Sequence, residues 1–195
     1  MSKIYLVADT HLNHDKIKTY CDRPENFTQV IVKRWQETVG EGDAVIHLGD
    51  VFIGPKEGWL RIWPMLPGRK ILVRGNHDRG HSNTWWMDHG FSFSCDGMMF
   101  RNYWLSHEPA TVWPEGAIGN IHGHLHNVWD GFHPEDPMLT NEDAMFVKPW
   151  ETRQLLYPGS RLFAIEYTSF RPVEFEKFLS NPVRYKAIGD NTTWV

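Results

Sequence analysis

Five short apolar runs in this chain each stop abruptly at carboxylate, amide or imidazole residues, and that repeated pattern constrains the fold more than any other feature. Lys3 to Ala8 (KIYLVA) runs into Asp9 and His11. Ala44 to Leu48 (AVIHL) runs into Gly49 and Asp50, and Lys70 to Arg74 (KILVR) into Gly75, Asn76, His77 and Asp78. Trp104 to Ser106 ends at His107, and AIGNI at His122, His124 and His126. Runs bounded in this way are expected to be buried strands, and the carboxyl ends of strands are where α/β sheets build their sites. Residues two apart on an extended chain share a face, so the last block is expected to present three imidazoles to one space. Gly123 among them would let the backbone bend or pass close to a bound group.

Taken together and in this order, Asp9-x-His11, Gly49-Asp50, Gly75-Asn76-His77-Asp78, His107 and Gly123-His124-x-His126 resemble the five-block signature of calcineurin-like metallophosphoesterases. ADTHLNHDKI, the YCDRP after it and HLGD further resemble a small bacterial and phage branch of that superfamily. The resemblance implies an α/β fold, a four-layer α/β/β/α sandwich of two mixed sheets flanked by helices. It implies that Asp9, His11, Asp50 and His126 hold one ion, that Asp50, Asn76, His107 and His124 hold another, and that His77 is catalytic without being a ligand. One departure stands out. Many relatives carry an acid three residues after the bridging aspartate, orienting the catalytic histidine; here that position is Ile53.

The chemistry asks for such a set. Two cations about 3.5–4 Å apart need a bridging carboxylate, for which Asp50 is the natural residue, and together they ionise a shared water near neutral pH. Mixed nitrogen and oxygen donors suit two divalent transition metal ions, manganese first and then Fe, Zn, Co or Ni, better than Ca or Mg. His77 as imidazolium could stabilise the transition state or protonate the leaving oxygen.

At 195 residues the chain is expected to form one domain over 1–185, with 186–195 as a tail. A net charge of −4 and a pI near 6.2 argue against a global basic surface for duplex binding. Nucleic acid is not excluded by this, because bound metals would make the site itself positive. Cys21 and Cys95 form no metal-type spacing, and the first apolar run is too short for a signal peptide. A cytoplasmic protein without a membrane span is expected, its oligomeric state unreadable.

His14 and Arg23, in the polar stretch after the first block, and Asp78 are candidates for contact with substrate. Phe27 to Val39 has the spacing of an amphipathic helix, and His47 inside AVIHL is expected to be a core histidine. Trp85 and Trp86 on a short helix are expected to be one core and one rim residue, and Asp96-Gly97 to turn a hairpin. Residues 127–154 have no sustained period and three prolines, a loop insertion expected at the rim of the site. LLYPGS, RLFAIEYT and PVEFEKFL then suggest two strands and a closing helix. The function expected is hydrolysis of phosphoesters, diesters of small or nucleotide-like substrates first. A nuclease of the same superfamily and a non-catalytic binding module are the alternatives.

Overall fold

The computed structural model describes residues 2–126 and 159–180. In chain order these form β1 (Ile4–Val7), α1 (Ile17–Tyr20), α2 (Phe27–Thr38), β2 (Ala44–His47), α3 (Lys56–Ile62), β3 (Arg69–Val73), α4 (Asn83–Asp88), β4 (Phe93–Cys95), β5 (Met98–Phe100), β6 (Tyr103–Leu105), β7 (Gly119–His122), β8 (Ser160–Leu162), β9 (Val173–Glu174) and α5 (Phe175–Ser180). Two mixed sheets result. The first has the order β4-β3-β2-β1-β9, parallel from β1 to β4 with β9 antiparallel at the edge. The second has the order β5-β6-β7-β8, with β5 antiparallel to three parallel strands.

The sequence pattern explains why these strands are central. Parallel strands covered on both faces are buried throughout rather than on alternate residues, and every residue of β2 and β7 is buried, their polar members His47, Asn120 and His122 being hydrogen-bonded. α2 buries Phe27, Ile31 and Trp35, spaced one helical turn apart. Trp35, Trp59, Trp63 and Trp86 pack with Phe52 and Phe91 in the buried core, Trp59 stacking on Phe52 at 4.9 Å between ring centroids. Leu6 and Val7 of one sheet share a single buried cluster with Leu105 and Ile121 of the other, so the two sheets form one core. Ser82 caps α4 by accepting the Trp85 N–H at 3.1 Å. No helix of the described residues is long and apolar enough to cross a membrane.

Two local expectations are corrected. Asp96-Gly97 does not turn a hairpin, because β4 before it belongs to the first sheet and β5 after it to the second. The hairpin lies instead at Arg101-Asn102, between β5 and β6. Both residues have positive φ, 45° and 66°, the requirement of a type I′ turn, whose twist matches that of paired strands. RLFAIEYT is a strand only as far as Leu162, after which Ile165–Thr168 coil into a 3-10 turn. The expected rim loop at 127–154, the tail at 186–195 and most of LLYPGS lie outside the described residues.

Candidate metal centre

β1 and β2 remain paired beyond their last strand residues. Asp9 N–H donates to Gly49 O at 2.9 Å, His11 N–H to Asp50 O at 3.0 Å and Leu12 N–H to Val51 O at 3.0 Å. The first two blocks therefore leave the sheet side by side. Asp9, His11, Asp50, His124 and His126 all have left-handed backbones, with φ of 53°, 44°, 58°, 71° and 47°. Each such conformation costs a non-glycine residue about 1–3 kcal/mol and persists only where the surroundings impose it. That cost falls on residues whose side chains converge.

They converge in two groups. Asp9, His11 and His126 form one and Asp50, His107 and His124 the other, each with donor atoms within 4.8 Å of one another. In the first, His11 Nε2 lies 3.2 Å from His126 Nε2, and His126 Nε2 lies 3.6 Å from Asp9 Oδ1. In the second, His107 Nε2 lies 3.2 Å from His124 Nδ1 and 2.9 Å from Asn76 Oδ1. Asp50 stands between them, its Oδ2 at 3.5 Å from His11 Nε2 and 3.3 Å from His107 Nε2.

The electrostatics favour cations. Burial pushes Asp9 up to about 6, against the pull of His126 and His107. Burial acts upward on Asp50 too, but the hydrogen bond and charge of His107 bring it below the usual carboxylate range. Burial lowers His11 strongly and His124 to about 4. It also opposes protonation of His107 and His126. Even so, Asp50 and Asp9 raise His107 to about 9, and Asp9 and Glu166 raise His126 well above the ordinary imidazole value. Desolvated carboxylates are thus drawing positive charge to the positions where nitrogen and oxygen donors face each other. A donor set of this kind fits divalent transition metals. His11 Nε2 is the nitrogen turned toward the cluster, and its buried Nδ1 has no hydrogen-bond partner among the described residues.

The family model of calcineurin-like phosphoesterases matches residues 2–181. This chain belongs to that family. Its members hydrolyse phosphoesters with divalent metal ions, and the two mixed sheets with their helices are the family's α/β fold. An uncharacterized protein of Methanocaldococcus jannaschii is 32% identical over 133 residues, 65% of this chain and 70% of that protein. The gene 66 protein of Mycobacterium phage L5 is 33% identical over 87 residues, 42% of either chain. A crystal structure of an Aquifex aeolicus protein of unknown function superposes with a TM-score of 0.60 over 91% of this chain and 97% of its own, at 23% identity. At that identity the likeness concerns the fold alone.

Glycines let the phosphoesterase blocks approach. A Cβ added at Gly75 would stand 2.7 Å from the Asp50 amide nitrogen and closer still to Asp50 Oδ1; at Gly123 it would stand 2.9 Å from the Ala8 Cβ and closer still to Asp9 Oδ2. Gly75→Ala should therefore displace Asp50, destabilise the fold by about 1–3 kcal/mol and lower the metal content. Thermal melting with elemental analysis checks this, and a variant that melts as wild type with a full complement of metal would contradict it.

Several expected residues behave differently. His122 does not join the other two imidazoles; it ends β7 and donates from Nδ1 to Gly123 O at 2.9 Å. The left-handed turns at His124 and His126 break the alternation of an extended chain and send those two rings to different groups. Asp78, a candidate for substrate contact, is buried, and burial pushes it up to about 7. Its carboxylate accepts N–H bonds from Asp50 (2.7 Å), Val51 (3.0 Å) and Gly75 (2.8 Å), tying the second block to the third. Arg23 is buried too, its guanidinium engaged by Glu166 and by the carbonyls of Asp9 and Thr10.

His14 stays half-buried beside His11, ring centroids 5.4 Å apart. Asn76 and His77 are exposed. His77 lies edge-on to His11 with its Nε2 3.9 Å from Asp50 Oδ2; at the place of the missing acid stands the side chain of Ile53. His47 is a core residue, accepting the Gly49 N–H at 3.1 Å and meeting Thr10 Oγ1 at 2.9 Å. Trp86 is buried, whereas Trp85 stacks between His81 and His89 at the rim. Glu166 carries no motif and lies far along the chain from the five blocks. Its one sequence signal is an acid directly after the apolar run Leu162 to Ile165.

Proposed function

We propose that this chain is a dinuclear metal-dependent phosphodiesterase acting on small or nucleotide-like substrates. The observation that carries the reading is the position of Asp50 Oδ2, 3.5 Å from a nitrogen of one donor group and 3.3 Å from a nitrogen of the other. Asp9, His11 and His126 would hold one ion, Asn76, His107 and His124 the other, and Asp50 both. Two bound ions, manganese being the first expectation, would supply Lewis acidity at the phosphoryl group and a water ionised near neutral pH.

The chain's own residues do the remaining work. Exposed Asn76 and His77, with half-buried His14 and His124, form the open side from which a phosphoester approaches. Among these, His77 has the chemistry to donate a proton to the leaving oxygen, and it is kept out of both donor groups. His14 adds a donor to the phosphoryl oxygens on the same side. The buried carboxylate of Asp78 contacts no substrate; it keeps Asp50 and the loop of His77 in register.

Chelation of purified protein should abolish hydrolysis of an aryl phosphodiester, and Mn²⁺ should restore it. Restoration by Mg²⁺ alone at an equal rate would contradict the nitrogen-rich donor set. A panel of phosphomonoesters, diesters, cyclic nucleotides and single-stranded DNA separates the readings. Turnover of DNA without turnover of small diesters would establish the nuclease instead.

A further inference from the structure

We propose that Glu166, in a buried ion pair with Arg23, is a positioning residue that orients His126 and sets the affinity of one of the two metal positions without affecting the other. The inference rests on the dinuclear reading above. Glu166 Oε1 lies 3.1 Å from His126 Nδ1, while His126 Nε2 faces His11 Nε2 at 3.2 Å and Asp9 Oδ1 at 3.6 Å. The ring has one nitrogen for the carboxylate and the other for the donor group. A carboxylate that takes the Nδ1–H fixes the tautomer, holds the ring plane and strengthens Nε2 as a donor.

Glu166 is itself held. Its side chain is 3% exposed and that of Arg23 is fully buried. Arg23 Nε donates to Glu166 Oε1 at 2.8 Å, and the other guanidinium nitrogens donate to Thr10 O at 3.0 Å and Asp9 O at 2.7 Å. One guanidinium therefore clamps both the orienting carboxylate and the left-handed backbone of Asp9. The carboxylate comes from the 3-10 turn after β8 and the arginine from the loop after α1, so the return of the chain past residue 159 completes this half of the site.

The other half is built differently. His107 directs Nδ1 to the Leu48 carbonyl at 2.7 Å, a neutral acceptor, while its Nε2 meets Asp50 and Asn76. One histidine thus leans on a carboxylate and its counterpart on a peptide carbonyl, and the two positions should differ in affinity for that reason. Cys21 lies close enough to His126 and Glu166 for the three to hold an ion by distance alone. Arg23 Nη2, 3.4 Å from His126 Nδ1, puts a positive charge in that space and argues against a third cation there.

The test counts and ranks metal sites in the full chain. Apo-protein is titrated with Mn²⁺, following free ion by electron paramagnetic resonance. Wild type is expected to bind two ions. Glu166→Gln, which keeps the shape but not the charge, is expected to bind one at wild-type affinity and the other 10- to 100-fold more weakly. Because Glu166→Gln leaves a buried arginine unpaired, a second variant removes both charges, Arg23→Met with Glu166→Leu, and is expected to show the same loss at one site. Imidazole ¹⁵N spectra of the Zn²⁺-loaded wild type need no variant and should show His126 protonated at Nδ1 and coordinated through Nε2. Two unchanged affinities in a folded variant, equal weakening of both sites, or coordination through Nδ1 would overturn the proposal. Failure of wild type to take up any ion would overturn the dinuclear reading itself, a distinct result.

Discussion

Asp50→Asn is expected to lower occupancy of both metal positions together and to reduce phosphoester hydrolysis by about 10³-fold or more, several kcal/mol of lost transition-state stabilisation. The substitution keeps size and shape. What it removes is the negative charge that lies within 3.5 Å of a nitrogen in each donor group. The backbone at this position should hold, since the Asp50 N–H donates to Asp78 and the Asp50 carbonyl accepts from His11. Loss of metal should therefore not be a consequence of unfolding. Elemental analysis beside a circular dichroism melt separates the two. A variant that keeps two ions per chain and wild-type turnover would dismiss Asp50 as the bridge.

His77→Ala should leave the metal in place and do nearly the same to rate. Its ring is 44% exposed and its Nε2 comes no nearer than 3.9 Å to the Asp50 carboxylate, so removing it opens no cavity and takes away no donor from either group. Two ions should remain. The rate should fall by about 10²- to 10⁴-fold, the usual weight of a general acid or transition-state donor. If the residue acts as an acid, the loss should shrink with a nitrophenolate leaving group, which departs without a proton. Rates on good and poor leaving groups, measured with metal content on the same samples, check both halves. Metal loss as severe as that of Asp50→Asn would show His77 to be a ligand, and full activity on a poor leaving group would remove it from catalysis.

The two variants probe different levels of one construction. The blocks at 49–50 and 75–78 come from adjacent parallel strands, β2 and β3, and are cross-linked by the Asp78 carboxylate through three backbone N–H bonds. Trp86 Nε1 donates to the Asp78 carbonyl at 3.1 Å, which connects that cross-link to the tryptophan core. Packing energy in the core thereby sustains left-handed backbones at the site that would otherwise relax.

The sequence by itself determined the five strands that lead to the site and showed which polar side chains stand at their ends. Short apolar runs ending in Asp9, Asp50, Asn76, His107 and His124 announce buried strands whose carboxyl ends carry polar groups, and that signal is local. α2 was equally legible, because burial of Phe27, Ile31 and Trp35 follows from one helical period. Only the tertiary structure decided which sheet each strand joins. Asp96-Gly97 has hairpin chemistry, yet β4 and β5 pair elsewhere, since long-range strand pairing overrides a two-residue preference. Only the tertiary structure turned His122 away from His124 and His126, because alternation holds for extended backbone and those two residues are left-handed. Arg23 and Asp78 look in sequence like groups for contact with substrate; their burial shows that a charge beside a site can instead serve its backbone. Glu166 marks the limit of what spacing can reveal. Its partners Arg23 and His126 stand 143 and 40 residues away, and no local pattern encodes a contact made only when the chain folds back on itself.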